Sequence, residues 1–462
     1  MKTAVSFATA LVASGLGAAT VDQVIVRQQW PWSTDVKVEY RLSGVDAAHP
    51  VDISVAAFNG STPLDSSRLA SAMTGDLYGV TEEFGEFHID PVAAFGAERV
   101  ALTKFKVQLT VSDSPAGMTD AIYKIIRISD GDCTDVSRAD LLNGKYGTYE
   151  TDYSSFYSAY TASIPDGIIW TGVTNNPAYK TTHIVMRRIK CKNIQWTMGD
   201  PDTLLNYSDR APQCQVVLTN DFWIGVFPVT IGQWKEADPD SKGRTTVFVY
   251  PENTNECAAT TTYLRHLRAG STTVTHNFPQ MRHSVSSDSL CGKLRAKTGY
   301  DFEVPTEAQW EFAARGGVYS LHLFTGEVTD TAAKLEAAVK RVAWIDSNSK
   351  ISGTTYWHPV GTKNPNPYGL YDIIGTIAEV MLNKYYDYDV DHVTYEPEGG
   401  ESGTSVWRSM TMANSYTFDR IGNRLLEDSS QAGGHLSSNG TRGGRLILPD
   451  TEGLVYPDFE KP

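Results

Sequence analysis

The sequence predicts an α+β protein in which a small all-strand domain precedes a larger mixed domain with few helices. Three observations carry this. Period-two alternation of apolar and polar residues recurs through the first part of the chain, as in Val36, Val38, Tyr40 and Leu42 set against Lys37, Glu39 and Arg41. Two helix starts, at Thr230 and Thr306, are unusually well marked, and both lie from the middle of the chain onward. The length of 462 residues suits two or three domains at about 100–200 residues each. The expected division is a signal peptide at 1–19, a β-sandwich at 20–130, a connector at 131–180, a main domain at 181–450 and a tail at 451–462.

Met1-Lys2 carries a positive charge, Ala4 to Leu16 is apolar, and Gly17-Ala18-Ala19 offers small residues for cleavage. The apolar run is too short to span a bilayer and reads as a secretory signal, and no later segment reaches spanning length. The chain is therefore expected to be exported, either secreted or held in a periplasm or at a cell surface. Val51, Ile53 and Val55 repeat the strand alternation, Phe105, Val107 and Leu109 continue it, and Ile122 to Ile128 is a further β-branched run. Asn59-Gly60, Asp113-Ser114-Pro115 and Asp130-Gly131 punctuate these runs as turns. Short strands at such spacing indicate a sandwich. Residues 131–178 are rich in Asp, Ser, Thr, Tyr and Gly and read as a connector packed partly on its neighbours.

In the main domain, Thr182 to Met186 reads as a strand. Thr230 and Gln233 form one capping-box signal and Thr306 and Gln309 another; in each the threonine caps the helix and the glutamine reaches back. Gly316-Gly317 should stop the second of these helices, and Glu311 and Arg315 should pair across one turn. Further helices are expected over Ser287 to Lys297 and Asp330 to Val342.

The net charge of −14 argues against nucleic acid as a partner, because the densest basic cluster (Arg187, Arg188, Lys190, Lys192) is short and lies within a strand-like run. Ten tryptophans and 23 tyrosines suit extracellular ligand binding and core packing alike. The cysteines are Cys133, Cys191, Cys214, Cys257 and Cys291, without metal-finger spacing; one or two disulfides are compatible with export, and the pairing stays open.

Several ordered motifs resemble the formylglycine-generating enzyme, or sulfatase-modifying factor, family. Val304 to Gly317 (VPTEAQWEFAARGG) is similar to that family's signature run. Trp196 to Gly199 (WTMG), Phe222 to Thr230 (FWIGVFPVT), Tyr368 to Gly375 (YGLYDIIG) and Thr441 to Leu446 (TRGGRL) match further segments in the same order, so that the likeness spans roughly 182–449. The resemblance implies a C-type-lectin-like sulfatase-modifying-factor fold with much irregular loop.

It also frames the chemistry. Oxidase members of the family bind copper(I) through two cysteines near the C-terminal end, as a soft ion requires of soft thiolates. The corresponding stretch here, Val406 to Tyr416 (VWRSMTMANSY), holds no cysteine, and Cys291 falls in a segment where the family's cysteine packs. Copper-dependent formylglycine generation is therefore not expected. Met410 and Met412 read as core. A second branch holds iron on three histidines, and the ten histidines here show no HxxxH pair on a helix. Members also bind calcium, partly through a "GNVWEW" segment; in Gly375 to Val380 (GTIAEV) the Glu survives as Glu379 and the Asn is Thr376. Asp346, Asp372 and Glu379 are the expected metal donors if Ca²⁺ is the cofactor. Asn348 and the acidic tract Asp387 to Asp391 also carry oxygen donors, and both suit ordinary loops.

By resemblance the C-terminal loops form the substrate groove, which makes Trp407, Arg408, Tyr416, Arg420 and His435 the expected ligand-binding residues. Trp310, Glu311 and Arg315 are expected to hold the fold. Three functions follow from this: a non-catalytic module binding an extracellular ligand or protein, a non-haem metal-dependent oxidoreductase with histidine and carboxylate ligands, and a structural surface protein. The first fits the missing cysteines best.

Overall fold

The computed structural model describes residues 19–28, 30–157, 163–200, 212–240, 256–260, 267, 285–317, 331–351, 354–397, 405–412, 414–415, 420–427 and 442–450. Most of the expected signal segment, the tail, Tyr416 and His435 lie outside these described residues. Two compact units emerge: the first comprises 1–121 and 136–149, the second 122–135 and 150–462.

The first unit is a two-sheet sandwich. Its strands are β1 (Thr20–Gln28), β2 (Val36–Ser43), β3 (Val51–Asn59), β4 (Thr62–Pro63), β5 (Met73–Gly75), β6 (Phe84–Ile89) and β7 (Phe105–Asp113). Short helices α1 (Ser66–Ser71) and α2 (Pro91–Phe95) start at Asp65 and Asp90, whose carboxylates accept from the free N–H groups of each first turn. One sheet runs β1-β2-β6-β5 and the other β4-β3-β7. Alternation dictates the core. Val36, Val38 and Leu42 of β2 and Phe87 and Ile89 of β6 pack with Val51 and Ile53 of β3 and Phe105 and Val107 of β7 in one buried cluster. Each such side chain contributes about 1.5–3 kcal/mol on leaving water. Helix α3 (Arg138–Leu142), capped by Ser137 and Asp140, also belongs to this unit.

The division falls before the expected boundary at 130. Strand β8 (Ala121–Arg127) pairs with β12 (His183–Ile189), as part of a five-stranded sheet of order β23-β15-β12-β8-β9. In that sheet β9 is Cys133–Ser137, β15 Phe222–Gly225 and β23 Ile447–Pro449. The strand Ile122 to Ile128 was rightly expected, but it belongs to the second unit's sheet. Within the expected connector, residues 150–157 and 163–180 pack as part of the second unit. Short strands β10 (Tyr149–Glu150) and β11 (Ile169–Trp170) pair, and Tyr153, Ile168, Ile169, Trp170 and Val173 are buried. Val100 and Ala101 lie outside any strand, and a turn from Leu102 leads into β7.

The rest of the second unit is α+β with short elements. Strands β13 (Ile194–Met198) and β14 (Cys214–Leu218) pair antiparallel. Helix α4 (Ile231–Ala237) starts at the Thr230–Gln233 capping box, and α5 (Leu290–Thr298) runs from its Ser289 cap to left-handed Gly299. Helix α6 (Glu307–Arg315) has both halves of the Thr306–Gln309 box and ends at Gly316 with φ 69°. Helices α7 (Ala332–Val342) and α8 (Asp346–Ser349) follow, then the small hairpin of β16 (Lys350–Ile351) and β17 (Thr354–Thr355). Last, β18 (Ala378–Lys384) pairs with β20 (Ser405–Arg408) and β22 (Arg442–Gly443), β21 (Leu425–Glu427) pairs with β20, and β19 (Thr394–Tyr395) adds to β14.

Candidate functional site

All nine residues of α6 are buried, although four of them, Glu307, Gln309, Glu311 and Arg315, are polar or charged. A buried charge is tolerated only when paired and hydrogen-bonded, so this helix must draw its partners from elsewhere in the chain. Glu311 accepts from Arg315 Nε at 2.9 Å one turn later, from the Gly199 amide at 2.8 Å and from Arg408 Nη2 at 2.8 Å. Arg315 in turn donates to the Gly199 carbonyl at 2.9 Å. Glu307 accepts from Arg408 Nε at 3.0 Å and from Arg424 Nε and Nη2 at 2.9 and 2.7 Å. The Arg408 guanidinium also reaches the Ile421 carbonyl at 3.1 Å and the Tyr388 hydroxyl at 2.8 Å. Arg424 lies over the rings of Tyr385 and Tyr388 at 4.5 and 4.6 Å. Two carboxylates and three guanidiniums thus bind α6 to the end of β13, to β20 and to the C-terminal loops. Burial pushes the Glu311 carboxyl up, but Arg315 and Arg408 outweigh it and hold the group below its ordinary range.

A second buried knot sits one face round the helix. Trp310 Nε1 donates to Glu379 Oε2 at 2.7 Å. Arg445 engages Glu379 through Nε and Nη2, at 3.1 and 2.9 Å to Oε1. Its remaining N–H groups go to the carbonyls of Gly225, Val226 and Tyr371 at 2.8–2.9 Å, which accounts for all five donors of the guanidinium. Trp310, Glu311 and Arg315 therefore hold the fold, as expected from sequence.

The expected metal donors are placed as follows. Glu379 is fully buried and bonded to Arg445 and Trp310, and burial still raises its carboxyl against that pairing. Asp372, at φ 52°, accepts from the Gly361 amide at 2.7 Å and from Thr376 Oγ1 at 3.2 Å, and burial raises it too. Asp346 is partly exposed and paired with Lys350. Among the described residues no group of three or more His, Cys, Asp or Glu side chains is gathered as for a metal. Calcium takes six to eight oxygens, and carboxylates already held by a guanidinium, an indole N–H and a backbone amide do not fit that demand.

Of the expected ligand-binding residues, Arg408 is fully buried in the network above and Trp407 is 4% exposed. Among the described residues both side chains are turned into the packed interior, where Arg408 holds the C-terminal loops. Arg420 is half-buried, with one guanidinium nitrogen lacking an acceptor among the described residues. Tyr416 and His435 lie outside the described residues. Met410 and Met412 are core, as expected. Sequence reasoning missed Glu307, Tyr388, Arg424 and Arg445 as charge partners, and it missed Asp200. Asp200 is fully buried next to Gly422 with neither carboxylate oxygen bonded among the described residues, and burial and Glu311 raise its carboxyl against Arg315, Arg408 and Arg420.

A family model described as the sulfatase-modifying factor enzyme 1-like domain matches residues 193–433, which is over half the chain. The chain belongs to the sulfatase-modifying factor family. It is 30% identical to formylglycine-generating enzyme of Mus musculus over 100 residues, 22% of this chain and 27% of that protein. The corresponding enzyme of Streptomyces coelicolor is 26% identical over 143 residues, 31% of this chain and 45% of that one. Serine/threonine-protein kinase pkn1 of Chlamydia caviae is 32% identical over 117 residues, 23% of this chain and 16% of the kinase. The chain thus spans less than half the length of these curated relatives. Among solved structures, Treponema denticola variable protein 1 is 22% identical, with a TM-score of 0.43 over 58% of this chain and 96% of that one. PvdO from Pseudomonas aeruginosa is 18% identical, with a TM-score of 0.35 over 57% of this chain and 94% of that one. The second unit has the strand-rich α+β architecture of the sulfatase-modifying factor fold. Among the described residues, no helix is long and apolar enough to cross a membrane.

Proposed function

We propose that this chain is an exported, non-catalytic member of the sulfatase-modifying factor family whose second unit binds an extracellular ligand or protein. The observation that carries this reading is the C-terminal stretch Val406 to Tyr416, where a copper-binding member needs thiolates and this chain has none. The same stretch supplies Arg408 to Glu307 and Glu311, so the chemistry there is devoted to holding loops in place. Arg420, half-buried in this region, is the residue we assign to ligand contact.

The test is a cysteine-containing peptide incubated with the copper-supplemented chain in air and followed by mass spectrometry. The peptide should keep its sulfur; conversion to the aldehyde overturns the reading. In parallel, an array of extracellular proteins and glycans should yield a ligand whose binding weakens in Arg420→Ala without loss of folding. Binding indifferent to that change removes Arg420 from the role.

A further inference from the structure

The outward face of the first unit's larger sheet carries a built depression of about 440 Å³, within the size range of small-ligand sites. Strand register arranges its side chains in rows. Gln23, Arg41 and Phe84 lie side by side across β1, β2 and β6; Ile25, Glu39 and Glu86 form the next row, and Arg27, Lys37 and His88 the one after. The first two rows line the depression, together with Tyr40, Asp76 and Gly85.

Its floor is rigid. Tyr40 points inward with the core, and its hydroxyl donates to the Asp76 carbonyl at 2.6 Å. This path is open because its cross-strand partner is Gly85, where a Cβ would collide with the phenol oxygen. Beside this floor Phe84 is 67% exposed, and the Arg41 guanidinium lies over its ring at 5.3 Å. Phe84 therefore offers an aromatic ring to whatever occupies the depression.

The polar groups define the ligand. Glu39 and Glu86 stand directly opposite, an unfavourable pairing in a sheet, and the third row compensates them. Arg27 Nε lies 2.7 Å from Glu39, and Lys37 Nζ lies 3.3 Å from Glu39 and 2.5 Å from Glu86. Arg27 and Lys37 offset Glu39 and Glu86, and Arg41 lies 3.8 Å from Glu83, so the site carries little net charge to select either a cation or an anion. Carboxylate acceptors here alternate with the donors of Arg41 and the Gln23 amide. Groups that donate and accept from the same atom, as hydroxyls do, match such a set. Phe84 and Ile25 provide the apolar surface for a C–H face.

We propose that this depression is a binding site for a neutral saccharide. It lies wholly within the first unit and is independent of the reading given for the second.

The test uses the full mature chain and titration calorimetry with cellohexaose, maltohexaose, xylohexaose and chitohexaose. At least one should bind, and both Phe84→Ala and Arg41→Ala should weaken it about tenfold or more, the scale of a contacting anchor residue. Their thermal transitions should stay at the parent value, since both side chains are exposed. Arg420→Ala, in the other unit, should leave this binding unchanged. No binding of any of the four at millimolar concentration overturns the proposal. So does binding indifferent to both first-unit variants, or tighter binding of a sulfated heparin hexasaccharide.

Discussion

Replacing Glu307 by Gln should destabilise the second unit far more than its single lost charge suggests. Gln keeps the shape of Glu307 and one acceptor oxygen, but among the described residues it removes the only carboxylate that meets Arg424, and one of the two that meet Arg408. The described network then holds Glu311 against Arg315, Arg408 and Arg424, each at most 4% exposed. Leaving a buried guanidinium without its partner costs about 3–5 kcal/mol, against about 0–1 kcal/mol for a surface pair. The chain contains its own control. Lys235 and Glu256 approach to 2.6 Å with more than half of each side chain exposed, so Glu256→Gln should change stability by less than about 1 kcal/mol. Both variants are compared with the parent by urea unfolding, with tryptophan emission and far-ultraviolet dichroism followed together because two units need not melt as one. Equal shifts for the two variants, or a loss under about 1 kcal/mol for Glu307→Gln, would refute the burial argument.

Trp310→Ala removes a fully buried indole and leaves Glu379 without the donor at 2.7 Å, so a loss of about 3–5 kcal/mol is expected in the same assay; an unchanged midpoint would show that the site collapses around the gap. Gly316→Ala puts a Cβ on a φ of 69° and into Pro367 Cδ, and should cost more than about 1 kcal/mol where a helix-end Gly→Ala free of strain would gain. Asp372→Asn tests a pH dependence. Burial raises the folded-state pKa of Asp372, so its ionisation opposes folding once pH rises above the ordinary carboxylate value. Asn keeps an acceptor for the Gly361 amide and can donate to Thr376, so the variant should gain on the parent as pH climbs from about 4 towards 7. A gap that stays constant or closes over that range contradicts the assignment.

Local chemistry was legible in the sequence wherever partners lie close along the chain. Thr306 and Gln309, Thr230 and Gln233, and Glu311 with Arg315 are separated by three or four residues, and the structure forms each of these contacts. The alternation in β2, β3 and β7 likewise identified the inward face of the sandwich. Residues whose partners are remote were not legible. Glu307 reads as an ordinary helix-dipole acid until Arg408 and Arg424, about a hundred residues on, are brought to it. Arg187 reads as part of a short basic cluster in a strand-like run, and nothing in that run says that it is fully buried against Asp166 and the carbonyls of Ile122 and Tyr368. Strand β8 shows the same limit: a β-branched run signals a strand buried on both faces, and nothing in its pattern says which sheet it joins. The burial of Trp407 and Arg408 was illegible for a related reason. In Val406 to Arg408 hydrophobic and charged residues are adjacent, and only the pairing of β20 with β18 shows that Trp407 and Arg408 both end in the interior.

The central claim, that this member of the sulfatase-modifying factor family performs no copper or iron oxidation, is tested most directly by the metal content of the mature protein purified without chelators. Copper, iron and calcium are quantified together by plasma mass spectrometry, with oxygen uptake recorded on the same sample. The absence of thiolates from Val406 to Tyr416 predicts no stoichiometric copper, the absence of an HxxxH pair among the ten histidines predicts no stoichiometric iron, and the two together predict no oxygen uptake above buffer. One equivalent of either metal per chain, with thiol-dependent oxygen consumption, would contradict it.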